Sequence, residues 1–241
     1  MKHRTLHPWD VTPCEARAIQ EQLAHLVRPV WDGRRVRTIA GADVAFPDRS
    51  TVLAAVAVMT YPDLEVVEAR VLASRCNFPY VPGLLAFREV PGLLAVLETL
   101  TTRVDVLMCD AQGLAHPRGM GLAAHVGILV DVPVVGCAKS RLYGEFGKIG
   151  QPKGSRAYLR DEAGAIVGAA LRTRDGVKPV YVSVGNRVDL DKSIEIVLAS
   201  APRYRIPEPL RAAHRLSVGE APREQLRHAG PLRRTRETEV F

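Results

Sequence analysis

Residues 36–74, VRTIAGADVAFPDRSTVLAAVAVMTYPDLEVVEARVLAS, contain three β-rich runs: Val36 to Phe46, Thr51 to Tyr61 and Leu64 to Ser74. Only Pro47-Asp48-Arg49-Ser50 and Pro62-Asp63 separate them. Links this short between strands make hairpins, so the three runs predict an antiparallel meander. The chain beyond residue 100 has a different pattern. Val104 to Cys109 and Val132 to Ala138 are short continuous apolar runs on either side of a helix candidate, Gly121 to Val130. Strand and helix in alternation imply parallel strands, because only a crossover connection brings the chain back to run the same way.

Between the two patterns, Phe78 to Gly83 is punctuated by proline and glycine and leads into a helical region. Pro91-Gly92 is expected to interrupt it, since proline removes a hydrogen bond and clashes with the preceding turn; Leu93 to Leu100 is its apolar second half. Near the amino end, Thr12 reads as an N-cap, Pro13 as the first helical residue and Glu15 as the partner of a capping box. Ile19, Leu23, Leu26 and Val27 supply that helix with an apolar face. Later strands are expected near Ala157 to Leu159, Ile166 to Leu171 and Val180 to Val184, then helices from about Asp189 to Ala199 and Glu208 to Leu216. The order β-β-β-α-β-α-β predicts an α/β fold, a mixed central sheet with helices on both faces. Residues 1–218 form one domain in this reading. Residues 219–241, with Arg223, Arg227, Arg233, Arg234 and Arg236 among prolines and glycine, read as a mobile basic tail.

Composition narrows the function. The 241 residues are 47% hydrophobic and 24% charged, an ordinary globular balance. No run reaches the ~18 consecutive apolar residues of a membrane span, and Met1 to Trp9 has no apolar block of the kind a signal peptide carries. Cys14, Cys76, Cys109 and Cys137 are widely spaced and make no CxxC pair, which argues against a zinc site or a disulfide framework and fits a reducing cytoplasm. Thirty-three Lys and Arg against 26 Asp and Glu give a net charge of +7, which favours a polyanionic partner. There is no GxxxxGK[ST] loop, no HExxH and no GxSxG.

What remains is a set of acids in unusual places. Asp43 interrupts the apolar first strand, and Asp110 ends the run Val106-Leu107-Met108-Cys109. Ligands gather at such strand ends in open α/β sheets, and if the first and fourth strands are neighbours the two carboxylates converge. Paired hard oxygen ligands suit Mg²⁺ or Mn²⁺ and, through them, phosphodiester hydrolysis. Glu89, on the helix before Pro91, and His214, on the last helix, are further candidates. Spacing alone leaves each open: Asp43 as a strand-edge acid, Asp110 as a loop acid, Glu89 and His214 as solvated helix residues.

A family resemblance weighs against those plainer readings. Phe78-Pro79-Tyr80-Val81-Pro82-Gly83 with Phe87-Arg88-Glu89, Asp110-Ala111-Gln112-Gly113-Leu114-Ala115-His116-Pro117-Arg118, Val135-Gly136-Cys137-Ala138-Lys139-Ser140 and Tyr204-Arg205-Ile206-Pro207-Glu208-Pro209 together resemble endonuclease V, from about Asp10 to His214. The resemblance implies an RNase H-like fold and a Mg²⁺-dependent endonuclease, with Mn²⁺ as a substitute, acting on deaminated bases, chiefly deoxyinosine. It implies cleavage of the second phosphodiester bond 3′ to the lesion, leaving 3′-hydroxyl and 5′-phosphate ends. By the same resemblance Asp43 and Asp110 are direct metal ligands, Glu89 and His214 reach the metal or its waters, and Lys139 is the active-site lysine. Pro79, Tyr80, Val81 and Pro82 resemble a wedge pushed into the duplex, and rigid prolines flanking an aromatic ring suit strand separation. Gly83, Leu84, Leu85, Gly113 and Gly121 are the expected pocket for the everted base, with His116 nearby as a contact to phosphate or base. Ala111 stands where glycine is common, which puts the local backbone in question, because a Cβ penalises positive φ. Asn186 stands where histidine is frequent. Inosine-containing RNA is an alternative substrate, and a non-catalytic damage-binding module is the reading from another class. A monomer in the cytoplasm is the expected state.

Overall fold

The alternation of small and β-branched residues in the first strand resolves into two differently buried faces, and everything else is arranged around it. In a computed structural model, which describes residues 1–220 and 233–234, β1 (Thr38–Ala45) pairs antiparallel with β2 (Thr51–Thr60), and β2 with β3 (Val66–Arg75). That is the predicted meander. On its other side β1 runs parallel to β4 (Val106–Cys109), which runs parallel to β5 (Val134–Ala138). Three antiparallel strands, β6 (Arg156–Arg160), β7 (Ile166–Leu171) and β8 (Val180–Asn186), extend the sheet from β5. A two-residue strand, β9 (Arg233–Arg234), pairs with β3, so the order is β6-β7-β8-β5-β4-β1-β2-β3-β9. The rest of the expected tail beyond Glu220 lies outside the described residues.

Helices cover both faces. Ala40, Ala42, Leu107 and Cys109 pack beneath α2 (Leu85–Glu98) and α3 (Leu122–Leu129), with Ala16 of α1 (Pro13–Leu23) joining them. Ile39, Val106, Met108, Val135 and Cys137 pack beneath α4 (Leu190–Ala199) and α5 (Glu208–Ser217). The period-two alternation of each strand therefore assigns its odd and even residues to opposite cores. No helix among the described residues is long and apolar enough to cross a membrane.

Two expectations need correction. α2 is not interrupted: it runs from Leu85 to Glu98 straight through Pro91. Its face of Val90, Leu93, Leu94, Val96 and Leu97 is buried, and burial of five such side chains at ~1.5–3 kcal/mol each outweighs the ~3 kcal/mol cost of one interior proline. Gly92 lets the helix approach closely, since a Cβ there would stand 3.0 Å from Val52 Cγ1 and 3.2 Å from Ser74 Oγ. α1 has the predicted capping box, but it ends at Leu23 and gives way to a 3₁₀ turn, Ala24–Leu26. Leu26 is exposed, and the residues α1 buries are Ala16 and Gln20.

Candidate active site

The register of β1 on β4, Ala42 opposite Cys109, makes Asp43 and Asp110 the next pair along two parallel strands. Asp43 continues the face of Ile39, and Asp110 that of Val106 and Met108, so both carboxylates emerge on the α5 side at one end of the sheet. Lys139, the residue after β5, continues the row on the third parallel strand and sets its Nζ 2.5 Å from Asp110 Oδ2. Arg205 holds the chain at that point, donating from Nη2 to the carbonyls of Lys139 (2.6 Å) and Pro179 (2.8 Å).

α5 lies across the same end because Gly41 admits it: a Cβ at Gly41 would collide with the Pro209 carbonyl. The helix then brings His214 Nδ1 to 3.0 Å from Asp43 Oδ2, and Ser217 Oγ donates to that same oxygen at 2.8 Å. Glu89 comes from α2 on the opposite face. Burial, then the negative charges of Asp43 and Asp110, push its carboxyl up to about 8. Asp110 is also raised, by burial in the first place, with Lys139 opposing.

Glu89 feels the negative charges of Asp43 and Asp110, and Asp110 that of Asp43, so the cluster is short of positive charge, and carboxylate oxygens are hard donors of the kind Mg²⁺ and Mn²⁺ take. The residues present therefore fit a divalent cation. Among the described residues no three His, Cys, Asp or Glu side chains already stand together at ligand distance. Instead the acids are divided between protein donors: Asp110 is on Lys139, and Asp43 is on His214 and Ser217.

Asp110 and Lys139 also form one wall of a cavity of about 440 Å³. Tyr80, Val81, Pro82, Gly83 and Leu85 line it as well, together with His116 and Gly121. Tyr80 is 73% exposed, at the tip of its loop. Two expected pocket residues are set back. Leu84 is wholly buried in the α2 core, and Gly113 is a packing glycine whose Cβ would collide with the Val184 carbonyl. His116 lines the cavity, but both its nitrogens are engaged within the protein: Nδ1 accepts from the Arg118 amide at 3.2 Å, so Nε2 carries the proton and donates to the Gly83 carbonyl at 3.0 Å. Burial lowers the ring to about 4 and keeps it neutral. Of its two expected places, phosphate or base pocket, His116 stands in the cavity wall, with both ring nitrogens engaged.

Ala111 raises no strain, because the only non-glycine residues with positive φ among the described residues are Leu64 and Arg187. Asn186 is a structural bridge, donating to the Gly127 carbonyl at 2.6 Å and accepting from the Arg28 amide at 2.8 Å. Sequence reasoning missed Gln20, Gln112, Arg118 and Ser217. Gln112, a wall residue of the cavity, donates Nε2 to the Ser140 carbonyl at 2.8 Å, while its buried Oε1 has no partner.

A mixed sheet with acids on adjacent parallel strand ends, a lysine on the third and a cavity lined by Asp110 and Lys139 is the arrangement of an RNase H-like nuclease. The family model for endonuclease V matches residues 21–215. Endonuclease V of Methanothrix thermoacetophila is 49% identical over 221 residues, covering 92% of this chain and 97% of the relative. The crystal structure of endonuclease V from Streptomyces avermitilis superposes with a TM-score of 0.82 at 43% identity, covering 91% of this chain and 97% of that one. The Bacillus subtilis structure gives 0.85 at 30% identity, with 91% and 96% covered. The chain belongs to the endonuclease V family.

Proposed function

We propose that this chain is a metal-dependent repair endonuclease that takes an everted deaminated base, chiefly hypoxanthine of deoxyinosine, into the 440 Å³ cavity and cuts the second phosphodiester bond on its 3′ side. The observation that carries this is that cavity and acids share walls: Asp110 and Lys139 belong to both. A base held in the cavity brings its own backbone to the carboxylates, which is what couples recognition to strand cleavage.

Each residue has a role in this reading. Asp43 and Asp110 hold Mg²⁺, or Mn²⁺ in its place, with Glu89 and His214 reaching it directly or through water. The bound cation supplies charge stabilisation at the phosphate and a more acidic water. Lys139, half-exposed beside Asp110, offsets charge on the scissile phosphate. Gln112 supports the choice of base. Its amide nitrogen is turned to the Ser140 carbonyl, and its Oε1 is the atom left without a protein partner, an acceptor available to a ligand. Hypoxanthine has a ring N–H where adenine has a bare nitrogen, so an acceptor complements the first and repels the second.

End-labelled duplexes with one central deoxyinosine, an unmodified control and an inosine RNA twin, incubated with Mg²⁺ or EDTA, test the reading. The expected result is a Mg²⁺-dependent nick one nucleotide beyond the lesion, lost in Asp43→Ala and Asp110→Ala, with Gln112→Leu narrowing the preference for deoxyinosine over deoxyadenosine. Lesion binding without cleavage in any metal would overturn it in favour of a binding module, and stronger cutting of the RNA twin would reassign the substrate.

A further inference from the structure

The loop that carries Tyr80 is fixed at both ends by its carbonyls and free at its tip. At the entry, Arg88 Nη1 donates to the Phe78 carbonyl at 2.6 Å while its guanidinium lies 4.6 Å over the Phe46 ring. At the exit, the Gly83 carbonyl takes three donors: Gln20 Nε2 at 3.1 Å, His116 Nε2 at 3.0 Å and Arg118 Nη2 at 2.9 Å. A carbonyl oxygen has two lone pairs, so three donors on one oxygen is an unusually dense anchorage.

The donors also hold one another. Arg118 Nε donates to Gln20 Oε1 at 2.7 Å, Gln20 Nε2 reaches the Met120 carbonyl at 2.9 Å, and the Arg118 amide donates to His116 Nδ1. Gln20 is only 1% exposed. A buried carboxamide is costly unless satisfied, and here both of its ends are. Glycine is required at position 83 for two reasons: its φ is +79°, and a Cβ would stand 2.9 Å from Arg118 Nη2.

We propose that Gln20 and Arg118 are positioning residues which, with His116, clamp the Gly83 carbonyl and so fix the angle at which the Tyr80 loop meets a duplex. The inference rests on the proposed function and on the wedge role that the family resemblance implies for Pro79, Tyr80, Val81 and Pro82, a loop that opens the helix as the base is everted. A loop that must push stacked bases apart has to transmit load to the body of the protein, and an unanchored turn would yield instead. The clamp stands where that load would arrive. Gly83, Gln20 and His116 also line the cavity, so the same contacts hold wedge and base pocket in one frame. α1 thereby becomes part of the recognition machinery, which accounts for its burying a glutamine where an apolar side chain would serve packing alone.

The test uses the full chain and the variants Gln20→Ala, Arg118→Ala and Arg118→Lys. Hydrogen exchange of residues 79–84 reads the clamp directly: exchange should quicken in both alanine variants and less in Arg118→Lys, which keeps a donor. Incision is then compared on deoxyinosine paired in a duplex and on deoxyinosine in a single strand. Misplaced catalytic geometry costs up to ~10²-fold, and the loss should be at least ~10-fold greater on the duplex than on the single strand, because only the duplex must be opened. Equal losses on both substrates, accompanied by a lower melting temperature, would make the network merely structural. Unchanged exchange would show that these side chains do not anchor the loop. Either result overturns the proposal. If Gln20→Ala does not fold, the partly exposed Arg118 carries both measurements. Wild-type protein that cuts neither deoxyinosine substrate would refute the function, while the exchange result would still judge the clamp.

Discussion

Ser217 shows how much of a site rests on residues that do no chemistry. Its hydroxyl bonds Asp43 Oδ2 at 2.8 Å, beside His214 at 3.0 Å, and it is wholly buried. A partly buried carboxylate oxygen held by two partners keeps one orientation, and orientation is what a ligand must keep when its cation leaves. Ser217→Ala should therefore lower incision ~10-fold and raise the Mg²⁺ concentration for half-maximal activity, since partners of ligands are worth ~10–100-fold in metal affinity or activity. An unchanged Mg²⁺ titration would remove Ser217 from the site. At this scale the sequence showed the acids and concealed their supports. Asp43 and Asp110 are conspicuous because a charge interrupts or ends an apolar run. Ser217 near the end of a helix reads as an ordinary cap, and Gln20 on an amphipathic helix reads as surface. Polar residues whose partners are distant in the chain have no local pattern to announce them; Gln20 meets Gly83 63 positions away.

Elements fix the site by how closely they approach, and two glycines separate that role from general packing. Gly41 on β1 faces the Pro209 backbone, which cannot turn aside as a side chain can. Gly41→Ala should push α5 off the sheet, destabilise the protein by ~1–3 kcal/mol as overpacking does, and take His214 and Ser217 away from Asp43. Gly92 on α2 faces the tips of Val52 and Ser74, which can give. Gly92→Ala should thus lower the melting temperature and leave incision at the permissive temperature near wild type. Melting curves and incision rates on the two variants check this: parallel losses of stability and activity in both would show that α5 has no special hold on the site. The sheet was readable because strand periodicity is local, and the β1–β4 register followed once both were placed side by side. The unbroken α2 was not, because the burial that offsets Pro91 comes from β2, some 40 residues earlier in the chain. The α1 face held at Ile19 and Leu23, which pack against the core, and departed at Leu26, because the apolar spacing continued past Leu23, where the chain had already left the helix.

Across the whole molecule, two opposed sets of buried groups should give the metal-free protein a stability optimum inside the neutral range. His116 and His125 are held neutral by burial, at about 4 and about 3 against an ordinary 6.5. As pH falls below about 6.5 the unfolded chain takes up two protons that the folded one refuses, and stability falls by about 1.4 kcal/mol per pH unit for each. Glu89 acts in the other direction. Its carboxyl stays protonated up to about 8 in the fold but ionises near 4.5 when unfolded, so rising pH between those values favours the unfolded state. Asp110, also raised, acts in the same direction as pH rises above the ordinary carboxylate range. The two trends cross near pH 6.5, which is where the melting temperature in EDTA should peak. A divalent cation removes the alkaline flank alone, because it favours the ionised carboxylates, while the histidines lie outside the carboxylate cluster and keep the acid flank unchanged. Melting temperatures from pH 4.5 to 8.5, in EDTA and in Mg²⁺, should therefore diverge increasingly with pH, and Glu89→Gln should flatten the EDTA curve above pH 6.5. Curves that stay parallel across that range would mean that the cation is not held by these acids, and the carboxylate cluster would lose its place in the reaction.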